Sequence, residues 1–296
     1  MSVRNVAGLA LSLVLIPSLL TIWFYPSIQD FMRTNPFWNG LSDFSDDLDV
    51  VWTESLSDAT AEPENTILVE IPYSQYGENS LERIEEFVRS GGILILADDY
   101  GYGNEVTERL GLTAKFSGKP LLDPLFCYRN QWLPKVTDFS MALAEIGIET
   151  VVLNHATALL NVDSDQVFAW SSETGFLDFD EDGVDDEDEP RGLLPVGAAL
   201  PVGSGTVILL SDPSILINSM VERDDNRAFV AYLTETYGFG RQISVAVSRF
   251  PKAPLDEGKA GLGKARERIS HPYSVVAMMG MAVFLVLRPW HKKEAS

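Results

Sequence analysis

The chain has a single cysteine, Cys127, so no internal disulfide can form and cysteine usage does not report a compartment. Histidine is almost as scarce: only His155, His271 and His291 occur, and no H-E-x-x-H pair is present to hold a catalytic zinc. Basic residues are few, 22 Lys+Arg against 43 Asp+Glu, for a formal net charge of −21. That balance argues against a nucleic-acid partner, because a phosphate backbone needs Lys and Arg to replace its counterions. Neither G-x-S-x-G nor a cysteine version of that nucleophile elbow occurs, and there is no internal repeat. What remains is a chain of 296 residues with 46% hydrophobic and 22% charged residues. Such a composition excludes a wholly disordered chain, a collagen and a disulfide scaffold, and it is long enough to bury a real core.

Two apolar runs bracket the chain. Val6–Tyr25 contains no charged residue. At about 1.5 Å per residue it spans about 30 Å, the thickness of the hydrocarbon core. Trp23 and Tyr25 fall where an interfacial aromatic belt belongs, and Pro17 is tolerable in a membrane helix. No small-x-small cleavage site stands out after Ile16, so the run reads as an uncleaved anchor. Tyr273–Leu287 is shorter and suffices as a span if Arg288 snorkels and Trp290 anchors the interface. Residues 26–47 carry only Arg33 against four aspartates, while Arg4 precedes the first run and Lys292 and Lys293 follow the second. This places both termini in the cytoplasm and the central domain outside it, against the lipid bilayer. One feature opposes that orientation: Arg249, Lys252, Lys259, Lys264, Arg266 and Arg268 fall on the outer side, where they could meet anionic head groups.

Between the runs the pattern is α/β. Residues 65–73 (NTILVEIPY) read as a strand. A helix follows, with Ser80 as cap, Leu81, Ile84, Phe87 and Val88 at helical spacing, and Gly91-Gly92 as its stop. Ile93–Ala97 (ILILA) and Thr206–Leu210 (TVILL) are continuously apolar, as strands buried on both faces of a parallel sheet must be. A short helix is expected from an Asn104 cap to Gly111, and a last one from Asp224 or Asp225 to Gly238. Thr150–Leu153 and Gln166–Trp170 read as further strands, and the prolines in 114–149 predict irregular chain. The expected division is an anchor over 1–25, a juxtamembrane segment over 26–59 and an α/β domain over 60–245. A flexible linker over 246–271, a second transmembrane helix over 272–290 and a cytoplasmic tail over 291–296 complete it.

The sharpest chemical signal is the acidic stretch 178–189, DFDEDGVDDEDE, which matches D-x-[DN]-x-[DN]-G-x₅-E at every specified position. Asp178, Asp180 and Asp182 occupy the first three ligand positions and Gly183 the sharp turn. The Val184 carbonyl, Asp186 and the bidentate candidate Glu189 follow. Ca2+ is a hard cation that takes six to eight oxygens, and so many carboxylates repel one another without one. The flanks depart from an EF-hand: the sequence upstream reads as strand and loop, Pro190 discourages a helix, and Asp185 stands where an apolar residue is usual. A helix-free calcium loop is expected, with an affinity on the order of 10⁻⁴–10⁻³ M.

Other motifs fail. Gly258–Lys264 has the form G-x-x-x-x-G-K, but Ala265 replaces the magnesium-binding hydroxyl and no apolar strand precedes it. Gly101-Tyr102-Gly103 lacks the third glycine of a dinucleotide loop. Cys127 and His155 could pair as nucleophile and base only if the fold joined them; a buried structural Cys127 is the simpler expectation. One constellation survives. Asp98 and Asp99 end one apolar strand and Asp212 ends another, with Asn104, Asn218 and Asn226 as possible neighbours, and ligands on open α/β sheets bind beyond such carboxyl ends. The same side chains could equally cap helices and shape turns.

The stretches SLERIEEFVRSGGILILADDYGYGNEVTERLGL, SGKPLLDP, TALL, the acidic loop and GSGTVILLSDPSILINSMVERDDNRAFVAYL follow in an order that resembles a family of membrane-anchored prokaryotic proteins of unassigned activity, common in archaea. Its domain is similar to class I glutamine amidotransferases and to the extracytoplasmic component of gliding-motility-type ABC transporters. The resemblance covers about residues 60–240 and implies a flavodoxin-like, mostly parallel sheet outside the membrane. It implies no enzyme, because the amidotransferase elbow is missing. The expectation is therefore a non-enzymatic, membrane-anchored binding or scaffolding domain within a membrane protein complex. The alternatives are an accessory subunit of an ABC-type transporter and an extracytoplasmic hydrolase using the strand-end carboxylates.

Overall fold

The computed structural model describes residues 3–247, 250 and 253–270. Two compact units divide the chain: Ile28–Pro251, and Met1–Ser27 together with Lys252–Ser296. The first is an α/β domain around a sheet of eight strands. These are β1 (Val51–Thr53), β2 (Thr66–Glu70), β3 (Ile93–Ala97), β4 (Asp138–Phe139), β5 (Val167–Trp170), β6 (Pro195–Val202), β7 (Gly205–Leu210) and β8 (Gln242–Ala246). Their order is β1-β8-β2-β3-β7-β6-β5-β4. The first five are parallel, and β6, β5 and β4 extend the sheet antiparallel.

The parallel strands are the apolar runs of the sequence. Alternate residues of β2 and β3 feed two cores: Ile67, Val69, Ile93 and Ile95 face one, Leu68, Leu94 and Leu96 the other. The helix Glu78–Arg89 closes the second core with Ile84, Phe87 and Val88; the helix Asn226–Gly238 closes the first with Phe229, Val230 and Leu233. Helices on both faces are what a parallel sheet needs to bury its apolar sides.

Several local expectations change. Ser80 lies inside the helix Glu78–Arg89, whose N-cap is Gly77. Asn104 is the first residue of the helix Asn104–Arg109, and its side chain reaches across to Phe116 instead of capping. Thr150–Leu153 yields only Val151–Val152, which pairs with Lys135–Val136 outside the main sheet. The irregular stretch 114–149 holds β4 and several two-residue strands. Cys127 is half-buried, in an isolated bridge to Pro134. The sequence reading passed over β6 because PVGAALPV is poor in β-branched residues and carries two prolines. It pairs with β7 through the two-residue turn Gly203-Ser204, where Gly203 takes a φ of +62°, the sign a primed hairpin turn requires.

The domain is also larger than 60–245. Residues 28–59 fold into it: Leu41 and Phe44 enter the first core and β1 forms an edge of the sheet. Asn35 is fully buried and holds the 28–41 loop shut, donating to the Gln29 carbonyl (2.8 Å) and accepting from the Phe37 N–H (2.9 Å). Asn218 fastens that loop to the body, donating to the Phe37 carbonyl (2.7 Å) and accepting from the Asp43 N–H (3.0 Å).

In the second unit the helix Val3–Phe24 contains Pro17, and the window Val6–Phe24 has a mean hydropathy of 2.1. By length and composition it could cross a membrane as an anchor or serve as a signal sequence. Ser12 and Ser18 return their hydroxyls to the Gly8 and Val14 carbonyls (2.9 and 2.8 Å), so these two donors are satisfied within the helix. The expected flexible linker is instead, over Pro254–Ser270, a 17-residue helix. Proline in the first turn, Asp256 and Glu257 near the start and Arg268 near the end suit the helix dipole and outweigh three glycines. The proposed span Tyr273–Leu287, with Arg249 and Lys252, lies outside the described residues.

Candidate functional site

The carboxyl ends of β2, β3 and β7 open into one cleft of about 440 Å³. Ile71, Pro72 and Tyr73 follow β2; Asp99 and Tyr100 follow β3; Pro213, Ser214 and Ile217 follow β7. The 28–41 loop supplies Asp30, Phe31, Trp38 and Asn39, and the remaining wall is Asn154 and His155. Phe31 and His155 both hold positive φ, 54° and 57°. A bulky residue in that region is strained, and the surrounding structure must hold it there.

The strand-end carboxylates divide by role. Asp98 is buried and accepts from the N–H groups of Tyr100 (2.9 Å) and Gly103 (2.6 Å), which shapes the loop after β3. Burial pushes its carboxyl up, and those N–H groups pull against it. Asp212 is likewise buried and accepts from the N–H groups of Asn154 and Ser214, both at 2.7 Å. Burial, with a further push from Asp99, raises it to about 8 against those donors. Asp99 alone of the three faces the cleft. Burial, then the charge of Asp98, raises it to about 7.

Asp99 therefore gives a pH prediction. The folded state holds its proton up to about pH 7, whereas an unfolded aspartate releases it near pH 4. Between those values the folded chain binds more protons, so stability is full below pH 4 and falls as pH rises to 7. Asp99→Asn is expected to melt with the parent chain at pH 4 and several degrees above it at pH 8, read by thermal unfolding at both pH values. Equal melting at pH 8 would contradict a partly buried, charge-coupled Asp99.

Asn104 and Asn226 turn out to be clamps outside the cleft lining. Asn104 accepts from the Phe116 N–H (2.8 Å) and donates to its carbonyl (3.0 Å). Asn226, fully buried, does the same to Val152 (2.8 and 2.9 Å) and also donates to the Met220 carbonyl (2.9 Å). Asp225 is the N-cap of its helix, but its side chain makes no cap bond; it accepts instead from the N–H groups of Glu149 and Thr150. The sequence reading missed Tyr73, Tyr100 and Trp38. The two tyrosines follow apolar strands, a position that could have flagged them; Trp38 carried no such signal.

The acidic stretch forms a closed loop on a β ribbon: Phe176–Leu177 pairs with Leu121–Leu122, and the Leu177 N–H donates to the Pro190 carbonyl (2.9 Å) across its base. No helix flanks it. Asp178 is fully buried and accepts from the N–H groups of Asp182 (3.1 Å) and Gly183 (2.9 Å). Gly183 has a φ of +81°. Asp178, Asp180 and Asp182 offer carboxylate oxygens within 4.8 Å of one another, and these three could hold a metal ion. Glu189 folds back to the start of the loop, accepting from the N–H groups of Phe179 (2.5 Å) and Asp186 (3.2 Å). Desolvation, then the charges of Asp182, Asp180 and Glu189, raise Asp186, so that carboxylate sits in the same negative field. For Val184 the described contact is its N–H to Asp182 (2.8 Å).

Residues 35–234, well over half of the chain, match the family described as "Domain of unknown function (DUF4350)". The chain belongs to the DUF4350 family. No curated protein matches this DUF4350 chain. Among solved structures, the mmIFT52 N-terminal domain is similar at 13% identity and a TM-score of 0.46, over 57% of this chain and 76% of that one. A β-galactosidase from Bacillus circulans sp. alkalophilus is similar at 14% identity and a TM-score of 0.37, over 58% of this chain and 23% of that one. The β-galactosidase from Rahnella sp. R3 is similar at 13% and 0.37, over 59% and 23%. This DUF4350 chain thus spans less than a quarter of either galactosidase.

Proposed function

We propose that this DUF4350 chain is a membrane-tethered, extracytoplasmic recognition domain that binds its ligand without turning it over, works within a membrane protein complex, and holds Ca2+ in loop 178–189. The observation that carries the reading is how the strand-end carboxylates are used. Asp98 and Asp212, which a hydrolase would want free as acid and base, are each committed to two backbone N–H groups. No hydrogen bond among the described residues joins Ser214 to His155, whose ring lies 5.0 Å from that of Trp132. What such residues build is a walled cleft at the carboxyl edge of a parallel sheet, the usual place for a ligand on this kind of fold. The five parallel strands with helices on both faces suit a flavodoxin-like, amidotransferase-like ancestry from which the nucleophile is missing.

Support for the tether is the apolar helix Val3–Phe24; support for the outside position is the scarcity of Lys and Arg in the residues that follow it. For calcium, it is the oxygen-only donor set and its register. The test has two arms. Alkaline phosphatase fused after Gly147 should be active, and the full chain should resist alkaline extraction from membranes. Complexes copurified from native membranes should lose a component when Trp38→Ala and Asp99→Asn are combined. An inactive fusion or a chain released by alkali overturns the location; unchanged copurification overturns the cleft as the recognition surface. An ABC-type transporter among the recovered components would define the role as that of an accessory subunit.

A further inference from the structure

The cleft's lining also defines a ligand class, an inference that rests on the recognition reading above. Four aromatic rings line it: Phe31, Trp38, Tyr73 and Tyr100. Two of them are far more exposed than such rings usually are, Trp38 at 66% and Tyr100 at 72%. Phe31 and Tyr73 meet edge to face at 5.8 Å and 70°, which fixes the inner pair. Two carboxylates stand among the rings, Asp30 and Asp99, and among the described residues neither Lys nor Arg lines the cleft. The Asn39 side chain donates to Asp30 and so positions it. The charges of both aspartates fall on Tyr73 and Tyr100: burial first and then Asp30 and Asp99 raise the Tyr73 phenol, and Asp99 leads the rise at Tyr100. Both rings therefore stay neutral and keep electron-rich faces.

We propose that this cleft binds an organic cation of the quaternary-ammonium or methylated-amine class, its head held by the four rings and countered by Asp30 and Asp99. Aromatic faces attract cations through the ring quadrupole, and the attraction strengthens as water is excluded. A methylated head suits them because it is weakly hydrated and asks for no hydrogen bonds. A small metal ion does not, since rings cannot replace the oxygen shell a hard cation requires. The volume exceeds one such head group, so the rest of a small molecule fits beside it.

The probes are choline chloride and tetramethylammonium chloride, titrated calorimetrically into the full chain in a nonionic detergent at pH 8. The neutral carbon isostere of choline, 3,3-dimethyl-1-butanol, is the control. Saturable choline binding is expected, with the isostere about tenfold weaker or worse, and with Trp38→Ala and Asp30→Asn each costing about tenfold in affinity. Trp38→Phe should recover most of the loss. Both test side chains are exposed, so circular dichroism should be unchanged. Isostere binding as tight as choline overturns the cationic selection while leaving a ligand cleft in place. Silence from both cations up to about 50 mM overturns it too, and the copurification experiment then decides separately whether the cleft recognises anything.

Discussion

Asn226→Ala is expected to lower the stability of the α/β domain by about 3 kcal/mol, because it strands three backbone groups at a fully buried position. The side chain satisfies the N–H and the carbonyl of Val152 and the carbonyl of Met220, all within 2.9 Å. Each orphaned buried group costs about 1–3 kcal/mol, and water entering the small space left by the amide recovers part of the sum. Asn226→Asp should be no milder. A carboxylate could still accept from the Val152 N–H, but its charge would face two carbonyl oxygens with no proton to share. Denaturant unfolding checks both variants, and a loss below about 1 kcal/mol for the alanine would mean that water already serves these groups. The effect reaches the cleft through the chain: Val152 precedes Asn154 and His155, which form one of its walls. An Asn226 variant should therefore weaken ligand binding while touching no ligand.

That residue illustrates what the sequence could and could not disclose. The parallel strands were legible because ILILA and TVILL are long enough and apolar enough to admit one reading. Asn226 was visible as a polar residue near a helix start, but its role depends on Val152 lying 74 residues away. Local spacing carries no information about a contact of that range. Asp98 and Asp212 fail in the same way: a strand-end aspartate looks alike whether it faces a ligand or two N–H groups. Residues 28–59 escaped the sequence reading for a different reason. Their composition resembles a polar connector, yet Leu41 and Phe44 enter the first core, β1 pairs at the sheet edge, and the buried Asn35 and the reach of Asn218 fasten the 28–41 loop. The cleft wall they supply, with Trp38 in it, was accordingly invisible. The acidic loop was the opposite case, since its donors lie within twelve residues and register alone brings Asp178, Asp180 and Asp182 together.

That loop gives the second large effect: calcium should raise the stability of the parent chain and leave Asp178→Ala unmoved. If the affinity is on the order of 10⁻⁴ M, 10 mM Ca2+ is about 100 times the dissociation constant and adds about 2.7 kcal/mol to the folded state. Without the metal the substitution should cost about 1–2 kcal/mol, since Asp178 also holds the N–H groups of Asp182 and Gly183, which lie close enough to solvent for water to replace part of the loss. Asp185→Asn is the matched control: it removes one negative charge from the same loop, but Asp185 pairs with Arg191 (3.2 Å) and lies outside the three-carboxylate cluster, so its calcium response should persist. Sodium chloride at equal ionic strength separates binding from screening, which would relieve the loop's repulsion in every variant alike. A parent chain whose melting is unchanged by 10 mM Ca2+ would leave the loop as a hydrogen-bonded turn whose carboxylates are simply solvated. A response lost in Asp178→Ala and kept in Asp185→Asn would place the ion on the Asp178 side of the loop, where buried and exposed carboxylates converge.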